Sequence, residues 1–241
     1  TKTDLRHRQV VTASQAKEFG IPEGMDHVEV SSKAGRNISV VFYMIVRRVL
    51  QWRKLGCGKK LGQPSPLKLY GEPAVTDVVE KVDEEDNNDY VHLFKILMVG
   101  AARVGKTAAR YRFSRGHYAQ EYHATSGLES SARTVRINGE LIRLQIMDVG
   151  GDPAYETVRR NNYKGAHGFV VCYDVTCERS FEKAEQLVKD LDMHGQAEAP
   201  KMVIANKCDI DPSKWRVDQG EAKSWADGWR LPLVEGSARN G

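Results

Sequence analysis

From Leu93 onward the apolar residues fall into short runs separated by polar turns. LFKILMV (93–99), FVVCYDV (169–175) and MVIAN (202–206) are nearly continuous apolar stretches. Their length and uniformity predict strands buried on both faces. TVRI, then Asn138-Gly139, then ELIRLQIM (140–147) predicts a hairpin, because Asn-Gly suits a tight turn with positive φ. SFEKAEQLVKDLDMHG (180–195) changes period: Phe181, Ala184, Leu187, Val188 and Leu191 fall on one helical face. AKSWADGW (222–229) predicts a further helix, and LPLVEGSA (231–238) a last strand. Strands alternating with helices imply an α/β architecture, with a mostly parallel sheet covered on both faces.

Before Leu93 the pattern differs. ISVVFYMIV (38–46) is the longest apolar run. It is too short to span a bilayer and predicts a buried helix. From Gly56 to Tyr90 no apolar period is visible. GCGKKLGQPSPLKLYGEP (56–73) is rich in Gly, Pro and Lys, and EKVDEEDNND (80–89) is acidic, as in a solvated linker.

Composition narrows the classes. A chain of 241 residues can bury one sizeable core, or one domain with an appendage. The net charge of +4 is interspersed and does not argue for nucleic acid. Cys57, Cys172, Cys177 and Cys208 are scattered without metal-site spacing, as expected of free thiols in a reducing cytosol. No targeting sequence is visible.

Four stretches carry chemistry. LFKILMV runs into GAARVGKT, Gly100 to Thr107, which fits G-x-x-x-x-G-K-[ST] between a strand and a helix. Backbone N–H groups of such a loop, including those of Arg103, Val104 and Gly105, wrap a phosphate chain, aided by the positive end of the helix. Lys106 would reach the β- and γ-phosphates, and Thr107 would ligate Mg²⁺. In MDVGGD, Asp148 ends a strand and can hold Mg²⁺ through water, while the Gly151 N–H can approach a γ-phosphate closely. In ANKCD, Asn206, Lys207 and Asp209 end another strand. A carboxylate there accepts from N1 and the 2-amino group of guanine, a pair adenine does not offer. GSAR (236–239) follows the last strand, where the backbone of Ser237, Ala238 and Arg239 can contact the guanine oxygen.

This ordered set resembles the Ras-like small GTPases, the Rab branch most closely, over Leu93 to Gly241. The resemblance implies a three-layer P-loop GTPase fold, mostly parallel with one antiparallel strand. It implies GTP/GDP and Mg²⁺ as ligands. It places Thr125 of YHATSG at the Mg²⁺-ligating, γ-phosphate-sensing position, and Tyr118 where an aromatic covers the guanine ring. NYKGAHGFVVCYDVT (162–176) is similar to the Rab segment after the second switch. Exchange factors, GTPase-activating proteins and effectors are the implied partners, in signalling or vesicle traffic.

The sequence also departs from that pattern. The family usually has Gln where Asp152 stands. A Gln amide donates and accepts, and so orients the attacking water. An ionised Asp only accepts, and it adds negative charge beside a triphosphate. Slow hydrolysis is therefore expected, with Lys106, Thr125 and Asp152 as the catalytic positions. Ala102 and Arg103 replace a small residue and Gly. Ser130, Met147 and Asn162 replace an aromatic effector-binding cluster. The chain stops at Gly241 without a terminal Cys to prenylate, so a cytoplasmic location is expected, with membranes reached through partners or other parts of a parent protein.

The same vocabulary recurs at the N-terminus. TKTD (1–4) resembles the N-K-x-D motif with Thr for Asn. ASQAKEFG looks like the following helix, HVEVSSKAGRN (27–37) like the last strand and S-A-K motif, and Ile38 to Lys54 like a terminal helix. The expected organisation is the tail of one Ras-like domain (1–55), a linker (56–92), and a GTPase domain lacking its terminal helix (93–241), as in a tandem GTPase protein. Val41, Phe42, Ile45, Val46 and Val49 would face a sheet, with Arg47, Arg48, Arg53 and Lys54 in water. Covering bare apolar sheet favours docking of this helix where the second copy lacks its own. Three functions compete: a GTP-hydrolysing switch, a GTP-binding scaffold that does not hydrolyse, and a small-molecule kinase. Asn206, Lys207 and Asp209 disfavour the kinase.

Overall fold

A computed structural model describes residues 37–54, 90–116, 118, 123–137, 139–195 and 198–240. TKTD, ASQAKEFG, residues 27–36 of HVEVSSKAGRN, Cys57, Asn138 of the hairpin turn and the linker up to Asp89 lie outside the described residues, as does the side chain of Lys54. The described elements run α1 (Asn37–Lys54), β1 (His92–Gly100), α2 (Lys106–Arg115), β2 (Leu128–Ile137), β3 (Glu140–Val149), α3 (Glu156–Tyr163), β4 (Gly168–Asp174), α4 (Glu178–His194), β5 (Lys201–Asn206), α5 (Gln219–Gly228) and β6 (Leu233–Glu235). Short 3₁₀ turns occupy Pro153–Tyr155 and Pro212–Lys214.

One six-stranded sheet carries the order β2-β3-β1-β4-β5-β6. β1 pairs in parallel with β3 and β4, β4 with β5, and β5 with β6; only the β2–β3 hairpin is antiparallel. The architecture is the three-layer P-loop GTPase fold, and period-2 geometry explains its two cores. In β1, Phe94, Ile96 and Met98 point to one face, while Leu97 and Val99 point to the other. The second face is covered by α3, α4 and α5, with Phe181, Ala184, Leu187, Val188 and Leu191 of α4 all buried, as their spacing predicts.

The first face is covered by α1 and α2. Val41, Phe42, Ile45, Val46 and Val49 are fully buried, and Ile38 joins them. The stripe packs on β4, β5, β6 and α2. Phe42 stacks on Phe113 of α2 at 4.3 Å between centroids. Gly168 lets the helix lie close: a Cβ there would stand 3.0 Å from Ile45 and 3.2 Å from Val49. Arg47 and Arg48 are half-buried rather than wet, and Arg53, though exposed, lies over the Phe94 ring at 5.0 Å.

Two elements differ from the sequence expectation. β2 begins at Leu128, six residues before TVRI. Residues 128–133 alternate exposed and half-buried positions at the sheet edge, so backbone pairing with β3 replaces the apolar signal. The 3₁₀ turn and α3 after Asp152 were not expected. They start at Asp152, whose carboxylate accepts from the Ala154 N–H at 2.9 Å ahead of Pro153.

Candidate functional site

The candidate residues gather at the carboxyl ends of the parallel strands, where an open α/β sheet places its ligand crevice. β1 ends at Gly100, the loop runs to Gly105, and α2 begins at Lys106. Gly105 adopts φ 93°, and a Cβ on it would lie 2.3 Å from the Asn206 amide nitrogen. Arg103 takes a left-handed φ of 65° and is exposed, beside exposed Ala102. The turn thus aims its N–H groups along the helix start, a geometry that favours an anion.

Lys106 is buried inside this loop. Its Nζ donates to the carbonyls of Gly100 (3.0 Å) and Ala101 (2.8 Å). An ammonium has three donors, so one remains for a ligand. Burial pushes the Lys106 pKa down, and the Asp148 carboxylate opposes that shift.

Beside Lys106, three oxygens converge. Thr107 Oγ1 donates to Asp148 Oδ2 at 2.5 Å and lies 2.8 Å from Thr125 Oγ1. Asp148 is fully buried, and its Oδ1 has no hydrogen-bond partner among the described residues. Burial pushes its pKa up; Lys106, the Thr107 bond and Arg110 pull it down. A buried carboxylate oxygen without a partner beside two hydroxyls is a hard-oxygen donor set that fits Mg²⁺. Thr125 is held there because Gly150 N donates to the Gly127 carbonyl (2.9 Å), joining the two segments. Gly151 lies against the phosphate loop: a Cβ on it would stand 2.3 Å from Ala102 N. Asp152 is exposed and engaged in its cap.

Around Asn206 lies one connected network. Asn206 Nδ2 donates to the Val104 carbonyl (2.7 Å), and Asn206 Oδ1 accepts from Ala238 N (3.2 Å). This amide ties the loop after β1 to the segment after β6. Ser237 Oγ donates to Asp209 Oδ1 (2.7 Å) and accepts from the N–H groups of Arg239 and Asn240. Lys207, at φ 67°, pairs its ammonium with Asp174 at 2.6 Å. Tyr118 is exposed, and among the described residues no hydrogen bond or ring contact joins it to this network.

Several contributors were missed in sequence. Arg112 donates to the Arg239 carbonyl at 2.7 Å, bracing the loop after β6. Asp190 on α4 accepts from Arg160 at 2.8 Å and from the Tyr163 hydroxyl at 2.8 Å, anchoring α3. Arg110 is buried one helical turn from Lys106 and bonds to β2. The single sequence signal among these was weak: the i, i+4 spacing of Arg110 from Lys106 puts both on one helix face.

A family model described as the Ras family matches residues 1–51 and 95–241. The gap between the two matched stretches falls on the segment rich in Gly, Pro, Lys and acidic residues.

Proposed function

Since the chain belongs to the Ras family of small GTPases and is a nucleotide-binding switch of that type, we propose that it binds Mg·GTP and Mg·GDP and hydrolyses GTP slowly. The observation that carries this is the pairing of two constellations on one crevice. Lys106, Thr107, Thr125 and Asp148 converge at one end, and Asn206, Asp209, Ser237 and Ala238 are joined at the other. In this reading the phosphate loop from Gly100 to Thr107 holds the phosphates, with Arg103, Val104 and Gly105 supplying backbone N–H groups. Thr107, Thr125 and Asp148 hold the metal. Gly151 senses the γ-phosphate. Asp209 reads the guanine edge, Lys207 and Tyr118 flank the ring, and Ser237, Ala238 and Arg239 line it. Mg²⁺ held by these residues would supply positive charge that offsets the charge of the phosphates.

A scaffold that binds GTP without hydrolysing it is the second reading, favoured by the capped carboxylate of Asp152. Affinity with the Rab branch and a role in signalling or vesicle traffic rest on sequence alone, from Gly100 to Asp152 and over 162–176. So does the tandem organisation, in which residues 1–55 are the tail of a preceding domain. We place the protein in the cytoplasm, meeting membranes through partners. Among the described residues no helix is long and apolar enough to cross a membrane. Identifying the nucleotide carried by the purified protein, then comparing GTP with ATP binding, tests the proposal. Guanine nucleotide with at least a hundredfold preference, about 2.7 kcal/mol, is expected; equal affinity for ATP would overturn it.

A further inference from the structure

Arg110 is the largest fully buried side chain of the molecule's described part, and it is charged. Its two terminal nitrogens turn toward β2: NH1 donates to Ser131 Oγ (2.6 Å) and NH2 to Glu129 Oε2 (2.5 Å). Its Nε edge faces the other way. That nitrogen is buried, has no hydrogen-bond partner among the described residues, and lies 3.9 Å from Asp148 Oδ2. Asp148 is the buried carboxylate with an orphaned oxygen described above.

A buried, uncompensated carboxylate is costly, and a guanidinium keeps its charge at any working pH. In the metal-loaded site Mg²⁺ would compensate Asp148. Without metal, the Asp148 carboxylate, countered on the loop side by Lys106 and Thr107, would face the phosphates and repel them. Arg110 stands behind Asp148, its Nε 3.9 Å from Oδ2. It lowers the repulsion that follows metal loss, and it also repels the incoming cation. Both effects act in one direction.

Resting on the nucleotide-switch reading, we propose that Arg110 is a built-in counter-charge for Asp148 that loosens the dependence of nucleotide retention on Mg²⁺. It is a positioning residue that acts through Asp148 and does not touch the ligand. The bonds to Ser131 and Glu129 hold the guanidinium between α2 and β2, with Nε toward Asp148.

The test uses the full chain loaded with a fluorescent N-methylanthraniloyl-GDP. Dissociation is timed in excess Mg²⁺ and in excess EDTA, and the rate in EDTA divided by the rate in Mg²⁺ is the readout. Arg110→Met should raise that ratio by about tenfold or more, since a unit charge at such a distance acts strongly in a partly buried site. Arg110→Lys, which keeps the charge, should stay within about threefold of the parent. An unchanged ratio in Arg110→Met overturns the proposal, as does an equal change in Met and Lys variants, which would make Arg110 a mere strut. Should Arg110→Met fail to fold, Glu129→Gln serves: it removes the carboxylate competing for Arg110 and should lower the ratio below the parent's. No decrease there overturns the proposal. Failure of the parent to bind the GDP analogue overturns the switch reading itself, and is seen before any variant is compared.

Discussion

At the scale of single residues, the site turns on what each polar atom is already doing. The Asp152 carboxylate accepts from the Ala154 N–H, and a carboxylate has no proton to donate to water. Asp152→Gln supplies an amide that can orient water, at the loss of a cap worth about 1 kcal/mol. Single-turnover GTP hydrolysis should rise roughly tenfold or more in the Gln variant, and a parent rate equal to or above the variant's would sink slow hydrolysis. Asp152→Asn separates charge from capping, because Asn caps as well as Asp. Gly105 is the second such residue. Gly105→Ala forces a Cβ to 2.3 Å from Asn206 Nδ2 at a φ of 93°. A left-handed non-glycine residue plus a broken buried hydrogen bond should cost about 2–4 kcal/mol. A melting midpoint equal to the parent's would show that Asn206 does not need its bond to Val104.

At the scale of elements, α3 is short and lies beside Asp152, yet it is fixed at its far end. Tyr163 is fully buried and its hydroxyl donates to Asp190. Tyr163→Phe should cost about 1 kcal/mol and speed amide exchange selectively over Glu156–Tyr163; uniform exchange across the molecule would contradict a local anchor. Burial raises the Asp190 pKa, but its bonds to Arg160 and Tyr163 outweigh that, so its net shift is downward. Its contribution is therefore present above the ordinary carboxylate range and lost as pH falls below about 4. None of this was legible in sequence, because the partners are some thirty residues apart and nothing in the 162–176 stretch points Tyr163 at Asp190. The strands were legible where burial on both faces left continuous apolar runs, as over 169–175. The first half of β2 was not, because an edge strand is specified by its neighbour's backbone. The placement of the 100–107 loop and of Asn206 and Ser237 at strand ends was legible because backbone turns and side chains at strand ends follow recognisable spacings. The role of Arg110 was not, because a charge buried by pairing with β2 looks in sequence like any exposed helix arginine.

At the scale of the whole molecule, the helix that covers the β4–β5–β6 side of the sheet comes from the beginning of the chain. That placement makes the linkage between α1 and the sheet measurable from both sides. Phe42→Ala removes a fully buried ring stacked on Phe113 and should cost about 3–5 kcal/mol, or about 10 °C of melting midpoint. Gly168→Leu drives a side chain into Ile45 and Val49, an overpacking worth about 1–3 kcal/mol. If α1 docks as one unit, the two losses are not additive: once the introduced side chain has displaced the helix, truncating Phe42 removes little more. Full additivity would mean that Phe42 and Gly168 report on separate contacts. The same contact should respond to acid. His167 accepts from Lys95 N–H at Nδ1 (3.0 Å), while Arg53 of α1 presents NH2 to its Nε2 at 2.9 Å. A neutral imidazole accepts at only one nitrogen, so protonation leaves donor facing donor on both sides. Burial lowers the His167 pKa, and Arg53 and Lys95 lower it further. The folded form therefore resists a proton that the unfolded chain accepts. Stability should fall as pH drops through the unfolded histidine range near about 6.5, and stop falling once the folded imidazole is itself protonated. Arg53→Met should flatten that slope, and an unchanged slope would place the pH response away from the α1 contact.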